Sequence, residues 1–156
     1  MDAVYRLSFA ILGDEADARD AAQDAFVTAW RQIGRLRDPD RFDVWLQRVA
    51  VNAARMTHRS RRRRGVREIP AARLGGVLPE VRATRSPAER DARTLDAALA
   101  RLPIEQRTIL ALHHLDGRSI AELAEVLDIP AGTVKSRLSA ARQALRVAID
   151  AEARIG

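Results

Sequence analysis

The chain has 156 residues, a formal net charge of +6 and no cysteine. That length suits one domain or two small ones, and the lack of thiols excludes disulfides, thiolate metal sites and a built-in thiol switch. The basic balance favours polyanionic partners. It is carried almost wholly by Arg, Lys135 being the only Lys; Arg can grip phosphate or guanine with two parallel hydrogen bonds. No apolar run approaches the roughly 20 residues of a membrane span. Acids flank the short apolar patch of the N-terminus, so neither a span nor a signal peptide is expected and the cytoplasm is the expected compartment.

Strand signals are nearly absent, and the pattern predicts an all-α chain of two small helical domains joined by an irregular linker. The first domain is expected over 1–64. Asp2 to Leu12 reads as a helix with Val4, Leu7, Ile11 and Leu12 on one face, ended by Gly13. Asp14 caps the next helix, which runs to about Leu36 with Ala22, Phe26, Ala29, Trp30 and Ile33 as its apolar stripe. Arg37-Asp-Pro-Asp40 reads as a loop, with Asp40 capping a third helix that holds Phe42, Trp45, Leu46, Val49, Ala50 and Ala53. That helix ends in five Arg within Arg59–Arg64, a tract too dense in charge for a buried face.

Residues 65–85 contain three Gly and two Pro with no sustained period, and read as the linker. Ser86-Pro87-Ala88-Glu89 is a capping signature that opens the second domain, 86–156, of about four helices. Within it, Leu102–Arg146 carries the sharpest motif. Pro103 starts a helix, Asp116-Gly117 stops it, and Ser119-Ile-Ala-Glu122 is a capping box. Asp128-Ile-Pro-Ala131 turns the chain into a helix bearing Thr133, Lys135, Ser136, Arg137 and Arg142. Two helices, a short turn and a basic second helix make a helix-turn-helix that enters the major groove of duplex DNA. The plainer reading, amphipathic helices of any all-α domain, leaves the joint spacing unexplained.

Over most of its length the chain resembles the extracytoplasmic-function sigma factors, compact two-domain members of the sigma-70 family of bacterial RNA polymerase. The segments that carry the resemblance are YRLSFAILGDEADARDAAQDAFVTAW, RFDVWLQRVAVNAARMTHRSRRRR and LPIEQRTILALHHLDGRSIAELAEVLDIPAGTVKSRLSAAR. The resemblance implies a factor that binds core polymerase and directs initiation at promoters by reading −10 and −35 elements. It implies docking of the second helix on the clamp helices of the largest subunit, through Asp20, Gln23, Asp24, Phe26 and Trp30. Phe26 and Trp30 are expected to be mainly core, with edges near the interface.

The family reads an opened −10 strand with the loop before the third helix and with that helix. This implies roles for Leu36, Arg37, Asp38 and Arg41, then Arg48, Asn52 and Arg55, with Arg61 and Arg62 on upstream phosphates. An Asn amide can bond a base edge as donor and acceptor at once, although a plain surface amide is the alternative for Asn52. Trp45 is assigned to the core. For the −35 element the resemblance implies Lys135, Ser136, Arg137 and Arg142 in the groove. Ser119 would offer its N–H and hydroxyl to a phosphate, and His113 would lie toward the backbone. A metal pair at His113-His114 lacks a third ligand nearby. No cofactor or metal is expected. The flap of the second-largest subunit and an anti-sigma factor are further implied partners.

Three departures from the family pattern stand out. Relatives carry more helix ahead of the segment that begins at Met1, often an aromatic at Leu36, and often Arg at Ala140. A helix-turn-helix regulator acting alone is the alternative, but it leaves the acidic second helix and the arginine-tipped third helix without a role. A nucleic-acid enzyme is disfavoured, since no paired carboxylates flank a His and no phosphate-cradling Gly loop is present.

Overall fold

The computed structural model describes residues 2–65 and 86–155, so nearly all of the predicted linker lies outside the described residues. Within them there is no strand. The elements are α1 (Asp2–Leu12), α2 (Glu15–Gln32), α3 (Phe42–Arg63), α4 (Pro87–Arg101), α5 (Ile104–Leu110), α6 (Ile120–Leu127) and α7 (Ala131–Ala153). A single π-turn, Ala111–Leu115, extends α5.

Local chemistry sets most helix starts. Asp14 accepts from the Asp17 N–H at 2.9 Å and caps α2. Ser86 and Ser119 form reciprocal capping boxes with Glu89 and Glu122, each tying up two backbone donors that the first turn leaves unpaired. Gly13 and Gly117 adopt the left-handed backbone that ends the preceding helical segments. Asp128 does the same after α6, a conformation Asp tolerates better than most side chains.

Two predicted boundaries are corrected. The second helix stops at Gln32 and passes through a 3₁₀ turn, Ile33–Arg35. Asp38, not Asp40, is the cap before α3: its carboxylate accepts from the Asp40 N–H at 3.0 Å and opens the 3₁₀ turn Pro39–Arg41 that runs into α3. Pro39 suits that first position, where no N–H is needed.

The apolar stripe of α2 is also corrected. Its buried residues are Ala18, Ala21, Ala22, Ala25 and Ala29. Small side chains let α1 and α3 pack close against it. Phe26 is half-buried against the core, but Val27, Trp30 and Ile33 face water.

Helices α1–α3 form one bundle and α4–α7 another. They share one apolar cluster, with α1 packed on α5 and the π-turn, and α3 packed on α6. Leu7, Ile11, Ile109, Leu112 and Leu123 are its largest fully buried apolar side chains. Buried Arg107, on α5, donates to the terminal carbonyl of α1 at Leu12 (3.3 Å). A cation there satisfies an unpaired C-terminal acceptor and meets the negative end of the helix dipole.

Candidate nucleic-acid and polymerase interfaces

Asp20, Gln23, Asp24, Val27 and Trp30 recur at three- and four-residue steps along α2, which places them on one face. All five are exposed, Trp30 at 83%. The expectation that Trp30 is mainly core is therefore wrong. An indole this open to water, beside two carboxylates and an amide, is a large apolar surface left for a partner. The error arose because helical periodicity cannot tell a core stripe from an interface stripe. Trp45 is half-buried against the core and packs on Phe42, ring centroids 5.9 Å apart.

Arg41, Arg48, Asn52 and Arg55 are spaced by seven, four and three residues, and line one side of the α3 axis. Asn52 is exposed. The three arginines each meet a carboxylate of the second bundle: Arg41 bonds Glu125, Arg48 lies 3.5 Å from Asp128, and Arg55 bonds Glu105 at 2.6 Å. Beside them, the Gln47 amide donates to Asp116 at 2.6 Å. Burial raises the Asp116 carboxyl above its ordinary range, against the opposing pull of Arg118, Arg6 and the Gln47 bond. In the loop before α3, Leu36 is half-buried and Arg37 is exposed, while the Asp38 carboxylate serves as the cap described above.

The arginine tract divides. Arg61 bonds Asp17 and lies 3.7 Å from the α2 cap Asp14. Its guanidinium ties the end of α3 to the start of α2. Arg62, Arg63 and Arg64 are exposed.

In the helix-turn-helix, Pro130 precedes α7 in extended backbone and needs no donor. Lys135, Ser136, Arg137 and Arg142 are all exposed on α7. The Ser136 hydroxyl donates to the Thr133 carbonyl at 3.0 Å, which leaves its lone pairs outward. Arg142 donates to His114 Nε2 at 3.4 Å. Desolvation, then the charges of His113 and Arg142, hold the His114 imidazole below its ordinary value.

His113 is half-buried; its Nδ1 meets the Arg118 carbonyl at 2.9 Å and its ring meets His114 edge-on. Among the described residues no cluster of three metal-ligating side chains occurs.

Ser119, expected to meet a phosphate, is engaged in the capping box of α6. Its N–H is spent on the Glu122 carboxylate at 2.8 Å and its oxygen accepts from the Glu122 N–H at 3.2 Å. Those bonds from Ser119, with Arg118 next, hold the Glu122 carboxyl below its usual range. An ionised carboxylate at that helix start repels phosphate.

On the outer side of the second bundle, α4, α5 and α7 enclose an apolar groove of ≈ 480 Å³ lined by Leu102, Pro103, Ala144, Val147 and Ala151.

The model of sigma-70 region 2 matches residues 1–64, and that of sigma-70 region 4 matches residues 92–145. The chain is 32% identical over 158 residues to the ECF RNA polymerase sigma factor SigW of Bacillus subtilis, covering 93% of this chain and 82% of that protein. It is 37% identical over 142 residues to SigM of Mycobacterium tuberculosis, covering 91% and 69%. Its fold matches the sigma factor RpoE of Bartonella quintana, solved with the anti-sigma factor NepR, at a TM-score of 0.73 and 25% identity over 96% of this chain and 91% of that one. The bare stripe on α2, the basic stripe on α3 and the helix-turn-helix thus stand where two sigma-70 regions match, and the chain belongs to the sigma-70 family, in its extracytoplasmic-function class.

Proposed function

We propose that this chain binds bacterial core RNA polymerase and directs promoter-specific initiation, with its two bundles dividing the labour. Residues 1–64 dock on the clamp helices of the largest subunit and read the −10 element; 65–85 link; 86–156 read the −35 element. The reaction itself belongs to the polymerase, and the chain acts as a specificity subunit rather than an enzyme. No helix among the described residues is long and apolar enough to cross a membrane, and a factor acting on transcription works in the cytoplasm.

The single observation that carries the reading is the α2 face. Asp20, Gln23, Asp24, Val27 and the open Trp30 offer charge and an aromatic anchor to a basic partner helix. On the second bundle, the groove beside Val147 suits an apolar helix from the polymerase flap. The complex of RpoE with NepR supports a further proposal, that an anti-sigma protein covers these same surfaces.

The test is capture of purified core polymerase by wild type, Asp24→Arg and Trp30→Ala. Wild type binds. Trp30→Ala loses at least about 2 kcal/mol, as a desolvated aromatic anchor does, and keeps its thermal midpoint because the indole is already in water. Core polymerase binding that is absent in wild type, alongside tight duplex binding by the chain alone, would instead establish a free-standing regulator.

A further inference from the structure

The π-turn that extends α5 holds two consecutive histidines, His113 and His114. Consecutive side chains on an α-helix point about 100° apart. The wider winding of a π-turn narrows that angle, and such turns recur at functional sites. Here the two rings touch edge-on, centroids 4.8 Å apart. Their partners fix the tautomers. A carbonyl only accepts, so the His113 Nδ1 that meets the Arg118 carbonyl at 2.9 Å carries a hydrogen. A guanidinium only donates, so the His114 Nε2 that Arg142 meets at 3.4 Å is a bare lone pair. His114 is thereby neutral, with its hydrogen on Nδ1.

We propose that His114 is the proton-accepting member of a phosphate site formed with Arg142 and His113, and that duplex DNA is bound there with uptake of a proton. The proposal rests on the reading that places α7 on duplex DNA. In the free chain the neutral ring holds Arg142 against the π-turn. A proton on Nε2 turns that acceptor into a donor facing a donor, with a cation on each side, so protonation parts the two groups. A phosphate oxygen accepts from both. Placed between them, it converts an exclusive pair into a clamp of two cations. Both side chains are exposed, so a phosphate can reach them. Burial, then the charges of His113 and Arg142, hold the free imidazole low, whereas a phosphate pulls it up. The other charges on the elements around the π-turn have partners of their own. Arg107 of α5 donates to the Leu12 carbonyl, Glu105 and Glu125 pair with Arg55 and Arg41, and Glu122 of α6 bonds Arg118. Arg6 of α1 acts on Asp116, which accepts from Gln47.

The experiment uses the full chain and a fluorescein-labelled duplex of mixed sequence, since phosphate contacts carry no base preference. Anisotropy is read at fixed ionic strength from about pH 8 to about pH 6, across the imidazole range. His114→Gln keeps an acceptor for Arg142 and does not titrate, so it should match wild type at the alkaline end. A group whose pKa is higher in the complex than in the free chain tightens binding as pH falls between the two values. Wild type should therefore gain roughly three- to tenfold more affinity than His114→Gln over the range, one proton giving at most about tenfold per pH unit. The same pH dependence in both chains overturns the proposal.

NMR of the ring nitrogens follows His114 itself. In the free chain Nε2 should be the nitrogen without hydrogen at alkaline pH. Arg142→Ala should raise the pH at which the ring titrates, and so should saturation of wild type with the duplex. A hydrogen on Nε2, or a titration that stays in place under either change, overturns the proposal. A variant with Lys135→Ala and Arg137→Ala tells its failure from that of the −35 reading. If that variant weakens duplex binding while wild type and His114→Gln share one pH dependence, the −35 reading stands and the proton-linked site falls. If it binds the duplex as wild type does, the placement of DNA on α7 falls, and the proposal with it.

Discussion

The two helices proposed to read DNA differ in what surrounds them. On α7, Lys135, Ser136 and Arg137 are exposed with no carboxylate of the described residues against them, whereas Arg41, just before α3, and Arg48 and Arg55 on it are shared with acids of the second bundle. A helix that reads an intact duplex can be displayed ready for use. Arg41, Arg48 and Arg55, which the proposed −10 reading assigns to α3 and the turn before it, are held, in this structure, in ion pairs between the bundles. Sequence composition alone would rank both as basic surfaces; position in the closed molecule separates them.

The largest effect should come from breaking the joint that covers α3. Leu112 is fully buried in the π-turn, beneath α1 and α6. Leu112→Ala should cost about 2–5 kcal/mol in denaturant unfolding, and α3 amides should lose hydrogen-exchange protection before those of α7. Next, Arg137→Ala should weaken binding to the −35 element by about 1–3 kcal/mol while capture of core polymerase is unchanged. Equal loss of both would remove the contrast between the two helices.

Arg61→Ala tests the division of the arginine tract. It should lower stability by up to about 1 kcal/mol, the scale of a partly exposed pair. The salt slope of DNA binding should be unaltered, because that guanidinium is spent on Asp14 and Asp17. A flattened slope with unchanged stability would restore Arg61 to the DNA surface.

The smallest effect concerns Asp116. Its folded carboxyl titrates above the unfolded one, so the folded chain binds more protons in that window. Its contribution is therefore present at acid pH and lost as pH rises through the folded value. Asp116→Asn should be slightly stabilising at neutral pH and without benefit in acid, measured as thermal midpoints across the carboxylate range. The Asn amide also offers a donor to Gln47 Oε1, which is buried without a partner.

Features that depend on a few neighbouring residues are legible in the sequence. Asp14, Ser86 and Ser119 act as caps, and Gly13 and Gly117 act as stops, because their chemistry is settled within one helical turn. Trp30 was misread because an amphipathic pattern marks a face without saying what covers it. At Ser119 the capping box legible in the sequence already engages the N–H and a hydroxyl lone pair, leaving the hydroxyl hydrogen as the group that could donate to a phosphate. The pairing of Arg41 with Glu125 spans 84 positions, and no local rule reaches that far. The π-turn likewise left no mark in the sequence pattern; Ala111–Leu115 are all compatible with ordinary helix.

One feature of α7 bears on how accurately any base could be read. The helix is about 35 Å long at the usual rise per residue. Val134, Leu138, Ala141 and Ala148 are buried along its length, and the helix packs on α4, α5 and α6. It is a braced beam: Lys135 to Arg137 stand between Val134 and Leu138, so a tilt that moves them must also unseat core side chains. Hydrogen bonds to a base edge hold their geometry over only a few tenths of an ångström. Under the proposed −35 reading, the bracing that keeps the reading groups within that range comes from apolar side chains that never approach the DNA.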